Sequence, residues 1–551
     1  MADFPDGTVT NYVAPDFNEN KANKTLFQAL TNAARHEGLS KVIVRDTAGS
    51  PATSEMSYRK LLTFINILSA KFEHMTQKGE RVGVLMPNIN ATLAVFFALS
   101  RLGRTPAMIH FIVDPETAYA MCETANVKTV ITANSFLEKA ADQGNTQPRR
   151  ICSKLKQEGI TLVYVDELAK NSVSKADKLK AFLYAHLDML GFYNRIQRPE
   201  REAVILFTSG SEGEPKGVAL SHINILANHL QCATRMELNP KKDVLFNALP
   251  NFHCFGLLTA TLLPLFRGVP ILLHNNPKDA DKIPGYFQQS GATLSFATDS
   301  FLAAYASAVL DDGSVYDKSK VFAKLNYIWA GAEALKERTR KLWKEEFDVD
   351  VLQGYGVTET SPVISFNDPR NHKPGTVGQL VGGTHYALTV QDGIDEGGEL
   401  HVKGPHVMLG YLYAGNHGKI TPLKGCWHAT GDIVSVDNDG FMTIKGRLSR
   451  FIKVKGEKVP LSVCEHVAKD LWHDASHGAG KCLDKNKNET IVLFTTQNNA
   501  RLKDLEKEMQ KQGISLRHMP KDIKEVNEIP TLGNGKADLK ELDNLAAEHC
   551  D

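Results

Sequence analysis

The apolar run Ala203-Val204-Ile205-Leu206-Phe207 leads into Thr208-Ser209-Gly210-Ser211-Glu212-Gly213-Glu214-Pro215-Lys216-Gly217. Glycines in such a loop let backbone N–H groups turn toward an anion, hydroxyls add donors, and the lysine supplies charge. That is a composition suited to holding phosphates. It is not a Walker A loop, because Lys216 precedes its glycine and no Gly-Lys-Ser/Thr opens a helix. A plain surface turn uses the same glycines, so the information lies in the order of hydroxyls, glycines, proline and lysine. Farther along, Gln353-Gly354-Tyr355-Gly356-Val357-Thr358-Glu359 sets a ring, a hydroxyl and a carboxylate close together. Magnesium is commonly bound through one carboxylate plus substrate phosphates. The paired glycines lack the third glycine of a dinucleotide fingerprint.

Short β-type runs alternate with helical patterns around these residues. Arg81–Met86, Thr129–Thr132, Thr161–Val165, Val269–Leu273 and Lys324–Trp329 read as strands, and Tyr58–Phe72 and Glu337–Glu346 as helices. Such alternation predicts an α/β fold of layered, largely parallel sheets. From about Gly398 the texture becomes short and β-rich, as in Phe441–Lys445, which predicts a small barrel-like subdomain. The stretch after Arg450 carries its own strand, Glu489–Thr495, and helix, Lys503–Gln512, and is long enough to fold alone. The expected division is therefore a large N-terminal domain, 1–449, with its β-rich part from about 398, and a small α+β C-terminal domain, 450–551.

Apolar residues make up 42% of the 551 and charged residues 23%, ordinary globular values for a chain of several domains. A formal net charge of +1 points to no nucleic-acid partner. The eight cysteines form no C-x-x-C pair and read as reduced thiols of a cytoplasmic protein, with no zinc site expected. The start, Met1-Ala2-Asp3-Phe4-Pro5-Asp6-Gly7, lacks the basic-then-apolar order of an export signal. The longest apolar stretch, Ala91–Leu99, falls short of a membrane span and reads as a core helix. The segment 178–193 carries leucines and aromatics at helical spacing behind leading lysines. Its commoner reading is a core-facing helix; the sharper one is an interfacial helix touching lipid, or a lid beside a fatty substrate.

The loop at 208–217 resembles the phosphate loop of the adenylate-forming superfamily of acyl-CoA synthetases, peptide-synthetase adenylation domains and luciferases. Further matches follow in that superfamily's order: Asn247–Gly256 with His253, Trp329–Glu333, Gln353–Glu359, Trp427–Asp432, Gly446–Glu457 and Pro530–Lys536. The resemblance implies ATP and Mg²⁺ as cofactors. It places His253 beside the carboxylate site, and Gly331, Ala332 and Glu333 along the adenine. Gly354, Tyr355 and Gly356 would present a stacking face, Thr358 a hydroxyl for the α-phosphate, and Glu359 the magnesium ligand. Thr208, Ser209, Gly210, Ser211, Gly213 and Lys216 would hold the phosphates, and Asp432 and Arg447 the ribose. Lys536 would be the adenylation lysine on a mobile C-terminal domain, and Lys453 would lie on the thioester-forming face. Arg450 stands at the hinge position, where most relatives carry Asp or Lys.

Within the superfamily the Ser-Glu-Gly of the loop is unusual, since most acyl-CoA synthetases have Thr-Thr-Gly or Thr-Ser-Gly there. Together with Ser100–Ala107, Leu249–Leu257 and Leu532–Lys536, it resembles the bacterial acyl-acyl carrier protein synthetases. In particular it is similar to the synthetase half of the bifunctional 2-acylglycerophosphoethanolamine acyltransferase/acyl-carrier-protein synthetase. The resemblance implies activation of a fatty acid, with long chains the expected class, followed by transfer to acyl carrier protein. Coenzyme A is the alternative acceptor. The acyltransferase half is not matched; one His-x4-Asp string, His274 to Asp279, reads as chance, and a free-standing synthetase is expected. A carrier protein is acidic, so Lys453, Lys455 and Lys458, or Arg501, Lys503, Lys507 and Lys511, could dock it. The latter group could equally be a solvated helix face. Contact with the inner face of a bacterial inner membrane completes the expected setting.

Overall fold

A computed structural model describes residues 18–48, 55–171, 173–191, 198–209, 214–308, 316–391, 394, 396–454, 457–473, 475–485, 487–530 and 537–550. The described residues divide into two compact units, one lying within Tyr12–His385 and Lys403–His428, the other within Tyr386–Val402 and Ala429–Asp551. The mixed α/β architecture, a large sheet-bearing part followed by a small C-terminal one, agrees with the expectation from alternation.

In the larger unit an eight-stranded sheet runs Thr421–Pro422, Gly410–Leu412, Pro215–Ser221, Glu202–Ser209, Thr105–Met108, Arg81–Val84, Thr129–Thr132, Thr161–Tyr164. Its far strands are parallel, while Glu202–Ser209 and Pro215–Ser221 form an antiparallel hairpin. A nine-stranded sheet carries Leu245–Asn247, Leu294–Ala297, Tyr327–Ala330 and Asp350–Gly356 as parallel neighbours. Strands such as Thr129–Thr132 and Leu294–Ala297 are buried along their whole length, as covered strands of a layered fold are.

The helix Asn90–Arg101 is the core helix expected from Ala91–Leu99, with Phe96 and Phe97 fully buried and edge-on to each other. Tyr58–Phe72 is helical to the residue, capped by Ser57, whose hydroxyl accepts from the Lys60 N–H. Arg101, which interrupts the apolar stretch in sequence, is buried and paired with Asp188 at 3.1 Å. Among the described residues no helix is long and apolar enough to cross a membrane.

The smaller unit holds the β-rich part, with Gly398–Lys403, His428–Val436 and Met442–Arg447 in one sheet, and the sheet of His477–Leu483, Glu489–Thr495 and Asp522–Glu525. Helices Leu461–Leu471, Leu502–Lys511 and Leu539–Glu548 accompany the latter. The expectation of eight reduced thiols is corrected in this unit. Cys482 and Cys550 form a disulfide, their Cα atoms 6.1 Å apart, whereas the other six cysteines are outside any disulfide. Cysteine spacing along the chain could not reveal this pair. The final helix lies against the strand His477–Leu483, and Leu542 and Ala546 pack with Cys482 and Cys550 in one cluster.

The helix Lys175–Met189 also departs from its commoner reading. Its buried residues are Ala181, Ala185 and Asp188, and the leucines face outward. Phe192 and Tyr193, which extend the pattern in sequence, lie outside the described residues.

Candidate active site

The phosphate-loop residues open a hairpin. Thr208 stands directly opposite Lys216 across the antiparallel pair, in keeping with a loop that leads into a strand rather than a helix. Gly210, Ser211 and Gly213 lie outside the described residues, and Ser209 is described for its backbone alone. The strand Gly410–Leu412 adds to the hairpin's other edge, bringing Leu412 opposite Gly217. A Cβ on Gly217 would lie 3.0 Å from that of Leu412, so glycine permits this close pairing.

That pairing also delivers Tyr411. The Lys216 ammonium lies 6.0 Å from the Tyr411 ring centroid and 5.7 Å from that of Tyr413, within cation–π range. The Tyr411 hydroxyl donates to Glu359 Oε1 at 2.7 Å. The Glu359 carbonyl accepts from the Met408 N–H at 2.8 Å. One tyrosine thus joins the lysine and the carboxylate that the sequence singled out far apart. Glu359 Oε2 makes no hydrogen bond to any described residue. One available carboxylate oxygen fits the donor set of magnesium, which completes its shell with phosphates and water.

The Thr358 hydroxyl donates to Cys254 Sγ at 3.4 Å, tying its 3-10 turn to the residue after His253. The His253 ring lies 5.1 Å from that of His110 and 4.8 Å from that of Phe252. His110 is buried, and burial pushes its imidazole well below the ordinary range, with charge on His253 opposing protonation further. Its Nε2 has no hydrogen-bond partner among the described residues. After Cys254 the chain takes a π-helix, Phe255–Leu262, a geometry often found at functional sites.

Gly331 ends the strand Tyr327–Ala330, and a Cβ there would sit 3.2 Å from the Phe255 ring. Ala332 takes a left-handed φ of 66°, rare outside glycine, which sharpens the turn. The Glu333 carboxylate accepts from the Ser300 N–H at 3.2 Å and hydroxyl at 3.0 Å, at the start of the helix Asp299–Ala306. Gly354, Tyr355 and Gly356 close the strand Asp350–Gly356. A Cβ on Gly356 would lie 1.9 Å from the Pro362 carbonyl, so only glycine fits.

In the smaller unit Asp432 faces Arg447 across adjacent strands. Its buried carboxylate accepts from Arg447 Nε at 2.9 Å, and its N–H donates to the Thr430 hydroxyl at 3.1 Å. Lys453 is exposed on the strand Phe451–Val454, its backbone N–H bonded to the Glu489 carboxylate. Arg450 is buried, donating to Glu465 at 2.7 Å and to the Ala479 carbonyl at 2.7 Å. Lys536 lies outside the described residues.

His274 and Asp279, the ends of the His-x4-Asp string, do meet at 3.1 Å, but His274 is buried and also bonds to the Thr47 hydroxyl. On the helix Leu502–Lys511, Lys511 pairs with Glu508, and Arg501 just before it pairs with Asp504. Those pairs fit a solvated face.

Two functional-looking residues escaped the sequence reading. Tyr411 had a signal, since Gly410-Tyr411-Leu412-Tyr413 alternates ring and apolar residue as a strand does. His110, just past the strand Thr105–Met108, had none.

A hairpin that presents Thr208 and Lys216 thus meets Glu359 through Tyr411. The chain belongs to the AMP-binding enzyme family, whose pattern it matches over residues 30–412. Among curated relatives it is 28% identical to the long-chain-fatty-acid–CoA ligase of Yersinia pestis, over 88% of this chain and 89% of that protein. It is equally 28% identical to the enzyme of the same name from Haemophilus influenzae, over 90% and 91%. In fold it is similar to the anthranilate CoA ligase AuaEII in complex with anthranoyl-AMP, with a TM-score of 0.77 at 19% identity, covering 97% and 99%. The o-succinylbenzoate coenzyme A synthetase of Bacillus subtilis, in complex with ATP and magnesium, gives a TM-score of 0.73 at 19% identity, covering 94% and 98%.

Proposed function

We propose that this enzyme joins a long-chain fatty acid to ATP as an acyl-adenylate, releasing pyrophosphate, and then passes the acyl group to the thiol of coenzyme A. The observation that carries the first step is the meeting of Lys216 and Glu359 on Tyr411. Relatives named long-chain-fatty-acid–CoA ligase, matched along most of their length, support the acid and the acceptor. The loop sequence resembles carrier-protein synthetases, but these relatives favour coenzyme A.

A carboxylate is a weak nucleophile toward a polyanion. Its oxygen forms a bond to the α-phosphorus while the bond to the bridging β-phosphate oxygen breaks, and charge grows on the equatorial oxygens and on departing pyrophosphate. Positioning and fixed positive charge lower such a barrier. Thr208, Lys216 and the loop amides of 209–213 would hold the leaving phosphates. Glu359 would hold magnesium, which supplies positive charge against those phosphates. Thr358 would donate to the α-phosphate, and Asp432 with Arg447 would take the ribose hydroxyls. Gly331, Ala332, Glu333 and Tyr355 would border the adenine, and His253 the acid. Lys536 would bridge carboxylate and α-phosphate, then withdraw as the domain from residue 450 swings and Lys453 comes to the thiol side.

Lys536→Ala is the direct test. Acyl-dependent pyrophosphate release should vanish while nucleotide binding is largely kept; unchanged release would overturn the assignment. Offering coenzyme A and holo-acyl carrier protein together, with products resolved by intact mass, tests the acceptor. Predominant acyl-carrier protein would replace coenzyme A with the carrier and leave the adenylation step standing.

A further inference from the structure

The helix Lys175–Met189 turns its small residues inward and its leucines out. Ala181, Ala185 and Asp188 are 4%, 0% and 1% exposed, and they face the helix Tyr58–Phe72. Asp188 anchors this side, its carboxylate accepting from Arg101 at 3.1 Å and from Asn66 at 2.7 Å. A capping box at Ser174 and Asp177 fixes where the helix begins.

Leu179, Leu183, Leu187 and Leu190 recur at helical spacing on the opposite side and are 62%, 55%, 40% and 63% exposed. Phe182 and Tyr184 flank that stripe, also exposed. Twelve large apolar side chains are exposed among the described residues, and six of them lie on this one segment. Scattered apolar residues on a surface need no explanation, but a contiguous cluster marks an interaction face.

Charge indicates what the face meets. Lys175, Lys178 and Lys180 are exposed on the same helix, against one exposed carboxylate, Asp177, already engaged by Ser174. Arg59 of the neighbouring helix lies over the Phe182 ring at 5.8 Å. The only other acid of the helix, Asp188, is buried against Arg101. We propose that this face seats on the surface of a bilayer containing anionic phospholipid. The leucine stripe enters the acyl-chain boundary, while the lysines extend to the lipid phosphates. A second copy seated through this helix would cover the leucines but bring the lysines no available carboxylate of the helix itself, since Asp177 is held by Ser174 and Asp188 is buried. An anionic bilayer satisfies both. The inference stands on this face alone and does not depend on which acid the enzyme activates.

The test is flotation of the full-length protein with vesicles of phosphatidylcholine, with and without phosphatidylglycerol. Wild type should float with the mixed vesicles, bind phosphatidylcholine alone at least tenfold less, and be released by high salt. Leu179→Ser/Leu183→Ser/Leu187→Ser should lower the bound fraction at least tenfold. Lys175→Glu/Lys178→Glu/Lys180→Glu, which leaves every leucine of the stripe in place, should abolish the preference for phosphatidylglycerol. Pyrophosphate release from a short, water-soluble acid should be the same in all three proteins. The proposal is overturned if wild type stays with the unbound fraction, or if the leucine variant floats as wild type does. It is equally overturned if light scattering finds a wild-type dimer that the leucine variant converts to monomer. Loss of release from the soluble acid in the leucine variant would instead put the helix at the active site.

Discussion

Replacing Tyr411 with phenylalanine removes one hydroxyl and leaves the ring beside Lys216. The substitution abolishes the 2.7 Å hydrogen bond to Glu359 Oε1. A hydrogen bond to a charged acceptor contributes about 1.5–3 kcal/mol. Both side chains are half-buried, so water takes up part of the loss and the lower figure applies. About 1.5 kcal/mol corresponds to roughly a tenfold change in an equilibrium. If this carboxylate is held in place for magnesium, the magnesium concentration needed for half-maximal pyrophosphate release should rise by about that factor. Tyr411→Ala removes the ring as well, and a cation–π contact at an exposed site is worth about 0.5–1 kcal/mol, roughly a further two- to fivefold. Magnesium titrations of acid-dependent pyrophosphate release at fixed ATP would separate these effects. Superimposable curves for wild type and Tyr411→Phe would refute the positioning role of the hydroxyl. Equal losses in Tyr411→Phe and Tyr411→Ala would refute the contribution of the ring.

Asp188→Ala takes away the carboxylate from beside a guanidinium only 5% exposed. Breaking a buried pair from one side costs about 3–5 kcal/mol, so the urea midpoint followed by tryptophan fluorescence should fall clearly, and an unchanged midpoint would contradict the buried pair. Thiol titration in denaturant without reductant should count six cysteines, and all eight after reduction. Eight without reductant would rule out the Cys482–Cys550 bond.

How far the site was legible depended on how local its geometry is. Asp432 and Arg447 were brought together in sequence only by the resemblance, which gives both to the ribose, and the fold sets them on adjacent strands of one antiparallel pair. Thr208 and Lys216 were read as members of one loop, and the fold adds that they stand opposite each other across a hairpin. The sequence placed Gly356 only beside a stacking face, and the Pro362 carbonyl that leaves no room for a side chain there belongs to the fold. Tyr411 was passed over because its importance comes from a strand added to the hairpin's edge from far along the chain. His110 was invisible for a related reason: its burial and its histidine neighbour arise where two separate segments pack.

Alternating apolar runs determined the layered α/β class, and the ordered motifs determined the adenylate-forming resemblance, because both are carried by short spans of backbone and side-chain chemistry. The helix Lys175–Met189 marks where such reading stops. Helical periodicity shows that leucines share a face, yet cannot say whether that face looks in or out. Here the answer came from a buried Asp188–Arg101 pair and two alanines, which let the helix dock closely on its neighbour and left the leucine stripe to the outside. The disulfide is of the same kind, since Cys482 and Cys550 meet only after a helix has packed on a strand. Orientation and long-range pairing are products of packing, and packing sums over partners that no single stretch of chain contains.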